Sequence, residues 1–192
     1  VNGFDFGRVV SLYYKGHRMG DDKLQQKAFR WLCGEYRTKS EAKTDLGISL
    51  IITDDNWYDF IKLWADFMVK AGYAGLYICM DELASIYEIP SKVGRDYNYS
   101  KLLTIYNDIL QGKAFHLGFL MGITREAMED SVRGIYGYEP LRSRLQDKMS
   151  DHAALGDLRD MAAPVIHLSP LNPGEIYVLI EKITQLHGIV YE

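Results

Sequence analysis

The most informative stretch of this sequence is GLYICMDE, residues 75–82. An unbroken apolar run, Leu76 to Met80, lies between a glycine and two adjacent carboxylates, and this pattern predicts a strand that is buried on both faces. Buried parallel strands usually end in a ligand crevice, because binding sites form at the carboxyl edge of an α/β sheet. We therefore expect a functional site next to Asp81 and Glu82.

An Asp-Glu pair at the end of a buried strand has the layout of a Walker B element. In that element the aspartate holds a Mg²⁺ ion, directly or through water, and the glutamate polarises the water that attacks a γ-phosphate. The alternative is structural, since acidic residues that begin a helix interact favourably with the helix dipole. Asp81 and Glu82 fit both descriptions.

Length and composition indicate one globular domain over residues 1–192, and the order of its predicted elements, given below, makes it an α/β domain. Hydrophobic residues make up 47% of the chain and charged residues 25%, which is enough apolar material for a real core. No apolar run approaches the roughly 18 residues that cross a bilayer, and no signal peptide is visible, so we expect no membrane segment. The net charge of −4 argues against a DNA-binding module.

Cysteine content makes the cytoplasm the expected location. Cys33 and Cys79 are the only cysteines, too few for a disulfide framework. Cys79 lies within the apolar run and is predicted to be a small buried hydrophobe. Because the sequence begins at Val1 and not at Met, we expect the chain to be a piece of a longer protein.

Apolar residues at helical spacing predict several helices. Two lie near the N-terminus, around residues 6–14 and 24–32, and a strongly amphipathic helix over residues 57–71 follows an N-cap at Asp54 or Asp55. A polar link over residues 91–100 precedes a helix over residues 102–110. The last helix is expected to begin at NPGE, residues 172–175, with Asn as N-cap, Pro at the first position and Glu at the third.

Short apolar runs predict further strands at residues 48–53, 114–122 and 165–168. Strands that alternate with helices indicate an α/β fold whose partial parallel sheet is joined by right-handed crossovers.

Thr124 follows the second of these strands and is a candidate site residue. In the sequence GIT, residues 122–124, its hydroxyl could contact a phosphate oxygen or the attacking water, the role called sensor 1 in related ATPases. Threonine is also a common helix N-cap. The two roles are compatible, and both stay open.

Three arginines, Arg133, Arg142 and Arg144, lie within a short segment. An arginine supplied to a neighbouring nucleotide stabilises charge as the γ-phosphoryl group leaves. The alternative is a solvated helix face on which the arginines pair with Glu139 and Asp147.

A phosphate-binding loop is missing from the sequence. No segment fits Gly-x4-Gly-Lys-Ser/Thr, whose backbone amides and lysine hold the β- and γ-phosphates. Residues 16–20, GHRMG, precede two aspartates that would repel a phosphate. We therefore expect no tightly bound nucleotide on this chain alone.

Taken in order, several short segments resemble a known family, the bacterial P-loop ATPases of uncharacterised function related to the ATP-binding component of BREX anti-phage systems. The segments are RWLCGE (30–35), AGYAGL (71–76), MDE (80–82), LQG (110–112), GIT (122–124), RGIY (133–136) and LRSRL (141–145). The likeness covers about residues 4–187. Members of the family carry a Walker A loop upstream of the matched region, so the chain resembles the C-terminal portion of the nucleotide-binding domain.

The resemblance implies a P-loop NTPase-like three-layer fold, in which we expect residues 114–122 to pair in parallel with Leu76–Met80. It also implies roles for five residues. Asp81 would be the Mg²⁺ ligand, Glu82 the water-polarising residue and Thr124 the sensor, with Arg144 or Arg142 as an arginine finger. The chain has Thr124-Arg125-Glu126 where similar proteins often have Thr-Pro-Glu, a difference that bears on sensor geometry.

Two functions follow as expectations. In the first, the parent protein binds ATP and Mg²⁺ and hydrolyses ATP in bacterial phage defence. In the second, a degenerate, non-catalytic P-loop fold acts as a protein-interaction module. Both include self-association or a partner protein, and neither includes a nucleic acid or a membrane.

Overall fold

In the computed structural model, residues 2–145, 164–168 and 170–191 are described. They form two compact units, Val1–Tyr138 and Glu139–Glu192. The prediction of a single domain over residues 1–192 stays a prediction.

The first unit contains most of the secondary structure. Its elements in chain order are α1 (Asn2–Met19), α2 (Asp22–Leu32), α3 (Lys39–Leu46), α4 (Trp57–Lys70), β1 (Leu76–Met80), α5 (Ala84–Glu88), α6 (Lys92–Leu110), β2 (Leu117–Met121), α7 (Arg125–Glu129) and a 3₁₀ turn (Ile135–Gly137). The second unit contains α8 (Glu139–Leu145) and α9 (Pro173–Tyr191). The predicted N-terminal helices and the amphipathic helix are therefore confirmed.

The helices before β1 form a well-packed core. Trp31 of α2 is 1% exposed and meets Phe60 of α4 edge to face, with ring centroids 5.3 Å apart. The indole Nε1 of Trp31 donates a hydrogen bond to the Leu50 carbonyl at 2.7 Å. The apolar face of α4 thus belongs to the core, as its helical period predicts.

β1 and β2 pair in parallel, as predicted. Leu76 lies opposite Leu117 and Met80 opposite Met121, so the strands are in register along their whole length. The inner face packs on α4, where Ala65 is fully buried. The described residues therefore contain a two-stranded sheet with α/β character, and the three-layer P-loop fold stays a proposal.

The prediction that β1 is buried on both faces is wrong. Tyr77 is 66% exposed, Leu120 is 55% exposed, and Cys79 is exposed rather than buried. A continuous apolar run is typical of strands covered by helices on both sides. The apolar run itself does not reveal whether a second covering layer is present. Among the residues that the structure describes, α4 covers the inner face, and the outer side chains are exposed.

The strand predicted at residues 48–53 is also wrong. This segment has no regular secondary structure, and Ile48 and Ile51 are buried in the helical core. Side chains satisfy its backbone: Asn56 accepts a hydrogen bond from the Thr53 N–H at 2.7 Å and donates one to the Ile51 carbonyl at 3.0 Å. A strand partner is therefore not needed. Asn56, not Asp54 or Asp55, is the residue that precedes α4.

Two further predictions are wrong. Residues 92–100, predicted as a polar link, form the first half of α6, because Ser91 caps the helix and Arg95 and Tyr99 are buried. Residues 165–168, predicted as a strand, have no regular secondary structure. The predicted start of the last helix is confirmed, since Asn172 and Glu175 form a reciprocal capping box with distances of 3.0 and 2.8 Å.

Candidate functional site

The carboxyl ends of β1 and β2 lie side by side. The Gly122 N–H donates to the Met80 carbonyl at 2.8 Å, and the Leu83 N–H donates to the Gly122 carbonyl at 3.0 Å. These two hydrogen bonds extend the pairing of β1 and β2 beyond Met80 and Met121, the last paired residues of the strands. They hold the segment that contains Asp81 and Glu82 against the segment that leads to Thr124.

Asp81 is exposed at this edge and has a defined conformation. Its Oδ1 accepts a hydrogen bond from the Glu82 N–H at 2.8 Å. A Cβ atom placed on Gly122 would lie 3.2 Å from the same Oδ1, closer than most real Cβ contacts. The absence of a side chain at Gly122 therefore leaves room for the Asp81 carboxylate beside the neighbouring strand.

Glu82 has a left-handed backbone, with a φ angle of 53°. This region is uncommon for residues other than glycine, and such conformations tend to cluster at functional sites. The surrounding hydrogen bonds hold it, because the Glu82 carbonyl accepts from the Ser85 N–H at 2.9 Å while the next residue, Leu83, is buried and bonded to Gly122. The Glu82 side chain is exposed.

Thr124 is the N-cap of α7. Its Oγ1 accepts a hydrogen bond from the Ala127 N–H at 3.3 Å, and the residue is exposed. The structural role considered for this residue is therefore present. A hydroxyl oxygen that accepts from a backbone amide still has its own proton to donate, so the sensor role stays open.

Arg142 and Arg144 lie on α8, in the second unit. The Arg142 Nη1 is 3.7 Å from Glu139 Oε2, and the Arg144 Nη1 donates to the Pro140 carbonyl at 2.6 Å. The pairing with Glu139 agrees with the solvated-helix interpretation, whereas Asp147 lies outside the described residues. The arginine-finger role is a prediction that these contacts leave untested.

Asp81 is the residue at this edge that could hold a Mg²⁺ ion. Across the described residues, no three His, Cys, Asp or Glu side chains gather to form a protein-only metal site. Mg²⁺ usually keeps several waters and takes one or two carboxylates together with substrate phosphates. A single exposed carboxylate such as Asp81 fits that kind of coordination, and it does not fit a dedicated protein cage.

Sequence reasoning missed a polar cluster formed by the segments that follow the two strands. Tyr87 of α5 donates from its hydroxyl to Asp130 Oδ2 at 3.3 Å and to Glu126 Oε1 at 3.4 Å. The Arg133 guanidinium donates to the Tyr87 carbonyl at 3.0 Å and lies 5.2 Å from the Tyr87 ring centroid. Of the three predicted arginines, Arg133 is thus a structural residue of the first unit.

The electrostatics of this cluster follow from its contacts. Asp130 accepts hydrogen bonds from the backbone N–H groups of Arg133 and Val132, and these lower the pKa of its carboxyl group. Burial and the carboxylates of Asp130 and Glu126 raise the pKa of the Tyr87 hydroxyl. An aspartate shortly before a glycine is a turn signal that the sequence did contain. The contact between Tyr87 and Asp130 joins residues that are 43 positions apart, so no local sequence pattern predicts it.

Comparison with known proteins identifies the family. The sequence profile of the family described as BREX system ATP-binding protein BrxC/D matches residues 1–192. The chain belongs to this family. Membership of the BrxC/D family confirms the resemblance and supports an ATP-binding protein of a phage-defence system. Neither curated proteins nor solved structures gave a match.

Among the described residues of this BrxC/D family member, no helix is both long enough and apolar enough to cross a lipid bilayer.

Proposed function

We propose that the β1–β2 edge is the nucleotide-facing edge of an ATPase site. In this proposal Asp81 is a Mg²⁺ ligand, Glu82 orients and polarises the attacking water, and Thr124 contacts the γ-phosphate region. Arg144, or Arg142 beside it, reaches the nucleotide of a neighbouring subunit. When bound, the metal ion neutralises charge that develops on the phosphates.

The observation that carries the proposal is the joining of the two strand ends. Hydrogen bonds between Met80, Gly122 and Leu83 bring an Asp-Glu pair and a threonine to one edge of a parallel sheet. Parallel α/β sheets bind ligands at this edge. The left-handed Glu82 supports the proposal because the conformation is unfavourable without a compensating role.

Glu82→Gln in the full-length protein is the central test. The substitution keeps size and hydrogen-bonding capacity but removes the charged group that would polarise water. We expect ATP binding to be retained and turnover to fall by about 10²- to 10⁴-fold, the usual contribution of a general base. Glu88→Gln, an exposed glutamate on α5, is the matched control and should turn over normally. Wild-type turnover in Glu82→Gln would contradict the proposal.

Asp81→Ala separates the metal role from the water-polarising role. We expect weaker nucleotide binding in the presence of Mg²⁺ and little change when EDTA is present, because only the metal-dependent part of binding is lost. Isothermal titration calorimetry with ATP measures both conditions. An equal loss with and without Mg²⁺ would show that Asp81 does not act through the metal.

The isolated chain should bind Mg-ATP poorly. The sequence has no phosphate loop to supply backbone amide donors, and the sheet edge offers carboxylates, which repel phosphates. Calorimetry on residues 1–192 checks this expectation, and micromolar affinity would contradict it. The cytoplasmic location also stays a prediction that follows from the cysteine content.

A second candidate is the interaction module, and one observation favours it. On α9 the side chains of Ile180, Ile183 and Leu186 are 55% to 61% exposed, an unusual amount of apolar surface for one helix. An assembly module needs no hydrolysis. Full anti-phage protection by a protein carrying Glu82→Gln would therefore support the module and oppose the ATPase.

A further inference from the structure

The elements that follow β1 and β2 are joined by more than the sheet. α5 follows the Asp81-Glu82 segment, and α7 follows Thr124. Tyr87 of α5 reaches across with its hydroxyl to Glu126 of α7 and to Asp130 directly after it. A contact 43 residues apart in sequence therefore links the two segments that carry the candidate site.

Arg133 completes the link from the opposite direction. Its Nη2 donates to the Tyr87 carbonyl at 3.0 Å and lies 3.5 Å from the Glu88 carbonyl, so it covers the end of α5. Asp130 accepts from the Arg133 N–H at 2.9 Å, which holds the turn that carries the guanidinium. The Tyr87 side chain thus lies between the carboxylate of Asp130 and the guanidinium of Arg133.

Two buried side chains of helix α6 form hydrogen bonds to the segments that carry this link. Tyr99, which is 3% exposed, donates from its hydroxyl to the Arg133 carbonyl at 2.8 Å. Arg95, which is 6% exposed, donates to the carbonyls of Ile89 and Pro90 at 2.7 and 3.0 Å, just beyond α5. The segment after α5 and the turn that carries Arg133 are therefore both hydrogen-bonded to α6. Several independent contacts thus hold the same arrangement.

We propose that Tyr87, Asp130 and Arg133 form a clamp that positions the Asp81-Glu82 segment relative to Thr124. The clamp residues are positioning residues, because they act on the site through α5 and α7. The positioning role rests on the proposed function, since it assigns a purpose to the clamp at that same edge. The existence of the clamp as a mechanical link does not depend on the reaction.

Hydrogen exchange tests the link directly. The amides of Leu83 and Gly122 donate the two hydrogen bonds that join the strand ends, so they report separation of the segments. In Tyr87→Phe, which removes only the hydroxyl, we expect both amides to exchange about two to ten times faster, the effect of losing one modest hydrogen bond. In Arg133→Lys the planar guanidinium that contacts the carbonyls of Tyr87 and Glu88 is replaced by a single ammonium group, so we expect faster exchange at the amides of Leu83 and Gly122 here as well.

Tyr97→Phe is a closely matched control. The Tyr97 hydroxyl also donates to two carboxylates, Asp54 Oδ2 at 3.2 Å and Asp55 Oδ1 at 3.4 Å, but these precede α4. Its loss should leave the amides of Leu83 and Gly122 unchanged. Equal exchange at these amides in the wild type and Tyr87→Phe, or equal acceleration in Tyr97→Phe, would overturn the clamp.

Turnover of the full-length protein tests the positioning role. Tyr87→Phe should lower the maximal ATPase rate by about tenfold with little change in ATP affinity, because small misplacements of reacting groups cost rate more than binding. Tyr97→Phe should keep the wild-type rate. Suppose that Glu82→Gln loses turnover as expected, and that Tyr87→Phe exchanges faster at the amides of Leu83 and Gly122 but keeps the wild-type ATPase rate. This result would refute the positioning role and leave the proposed function standing. Wild-type turnover in Glu82→Gln would instead refute the proposed function, and the positioning role would fall with it.

Discussion

The helical core before β1 and the sheet after it are built differently. In the helical core, Trp31, Phe60 and Val9 are at most 2% exposed, and aromatic rings meet edge to face. In the sheet, one face packs on α4 while Tyr77, Cys79 and Leu120 on the other remain exposed. Two parallel strands on their own are marginal, because parallel sheets are normally covered on both faces. The difference indicates that the helical core supplies stability, whereas the sheet supplies the edge on which the candidate site lies.

The largest effect should come from Trp31→Ala. It removes a fully buried ring and its hydrogen bond to the Leu50 carbonyl, and we expect a loss of about 3–5 kcal/mol in the free energy of unfolding. Urea denaturation followed by circular dichroism measures the change. Phe29→Ala on the same helix is the control, because Phe29 is 56% exposed and should cost less than about 1 kcal/mol. Similar losses in both variants would break the comparison.

Two glycines of the sheet region should differ in their tolerance to alanine. A Cβ at Gly75 would lie 2.4 Å from the His116 carbonyl oxygen, a backbone atom, so we expect Gly75→Ala to cost about 1–3 kcal/mol. At Gly118 the Cβ would lie 2.6 Å from the ring of the exposed Tyr77, which can rotate away. Gly118→Ala should therefore cost less than about 1 kcal/mol. Equal thermal denaturation midpoints for the two variants would show that the exposed face is not free to adjust.

A pH dependence should be traceable to Asp45 in the helical core. Hydrogen bonds from Lys27 at 2.7 Å and from the Tyr36 hydroxyl at 2.9 Å lower the pKa of Asp45 in the folded state. Because the unfolded value is about 3.9, this contribution to stability is fully present above that pH. It is lost as the pH falls through the lower folded pKa.

Asp45→Asn measures this contribution. The stability difference between wild type and Asp45→Asn should be constant near neutral pH and shrink as the pH is lowered below about 4. Urea denaturation at a series of pH values gives the difference. Asp66→Asn, an exposed aspartate on α4, serves as the control. A difference that grows at low pH would contradict the assigned sign.

The smallest effect concerns the exposed face of the sheet. Cys79→Ser should change the free energy of unfolding by less than about 0.5 kcal/mol, because the side chain is exposed. In a Cys33→Ser background, Cys79 should react with a maleimide reagent without denaturant. Protection of this thiol under native conditions would show that the outer face is covered and that the contrast between the two regions is smaller than the structure indicates.

Several elements could be predicted because their signals are local. Helical spacing of apolar residues predicted the N-terminal helices and α4, and the capping pattern at Asn172 predicted the start of α9. The parallel pairing of β1 with β2 followed from the strand order of the ATPase class that the sequence resembles. The placement of Asp81 and Thr124 at strand ends then followed from chain order alone.

Other features could not be predicted because some of their stabilising contacts come from residues far away in sequence. The apolar segment at residues 48–53 has the composition of a strand, yet Asn56 and Trp31 satisfy its backbone groups. The polar start of α6 is helical, and the buried Tyr99 in it donates to the Arg133 carbonyl, 34 residues away in sequence. Local propensity was therefore overridden by tertiary hydrogen bonds.

The sequence by itself determined where α4 is followed by β1 and α6 by β2, and which polar side chains stand at the ends of these two strands, because these features depend on neighbours within a few residues. Only the tertiary structure decided that one face of the sheet stays exposed and that Tyr87 reaches Asp130 across 43 residues. The physical reason is that burial and long-range hydrogen bonds depend on which surfaces meet, and a linear pattern of residue types does not contain that information.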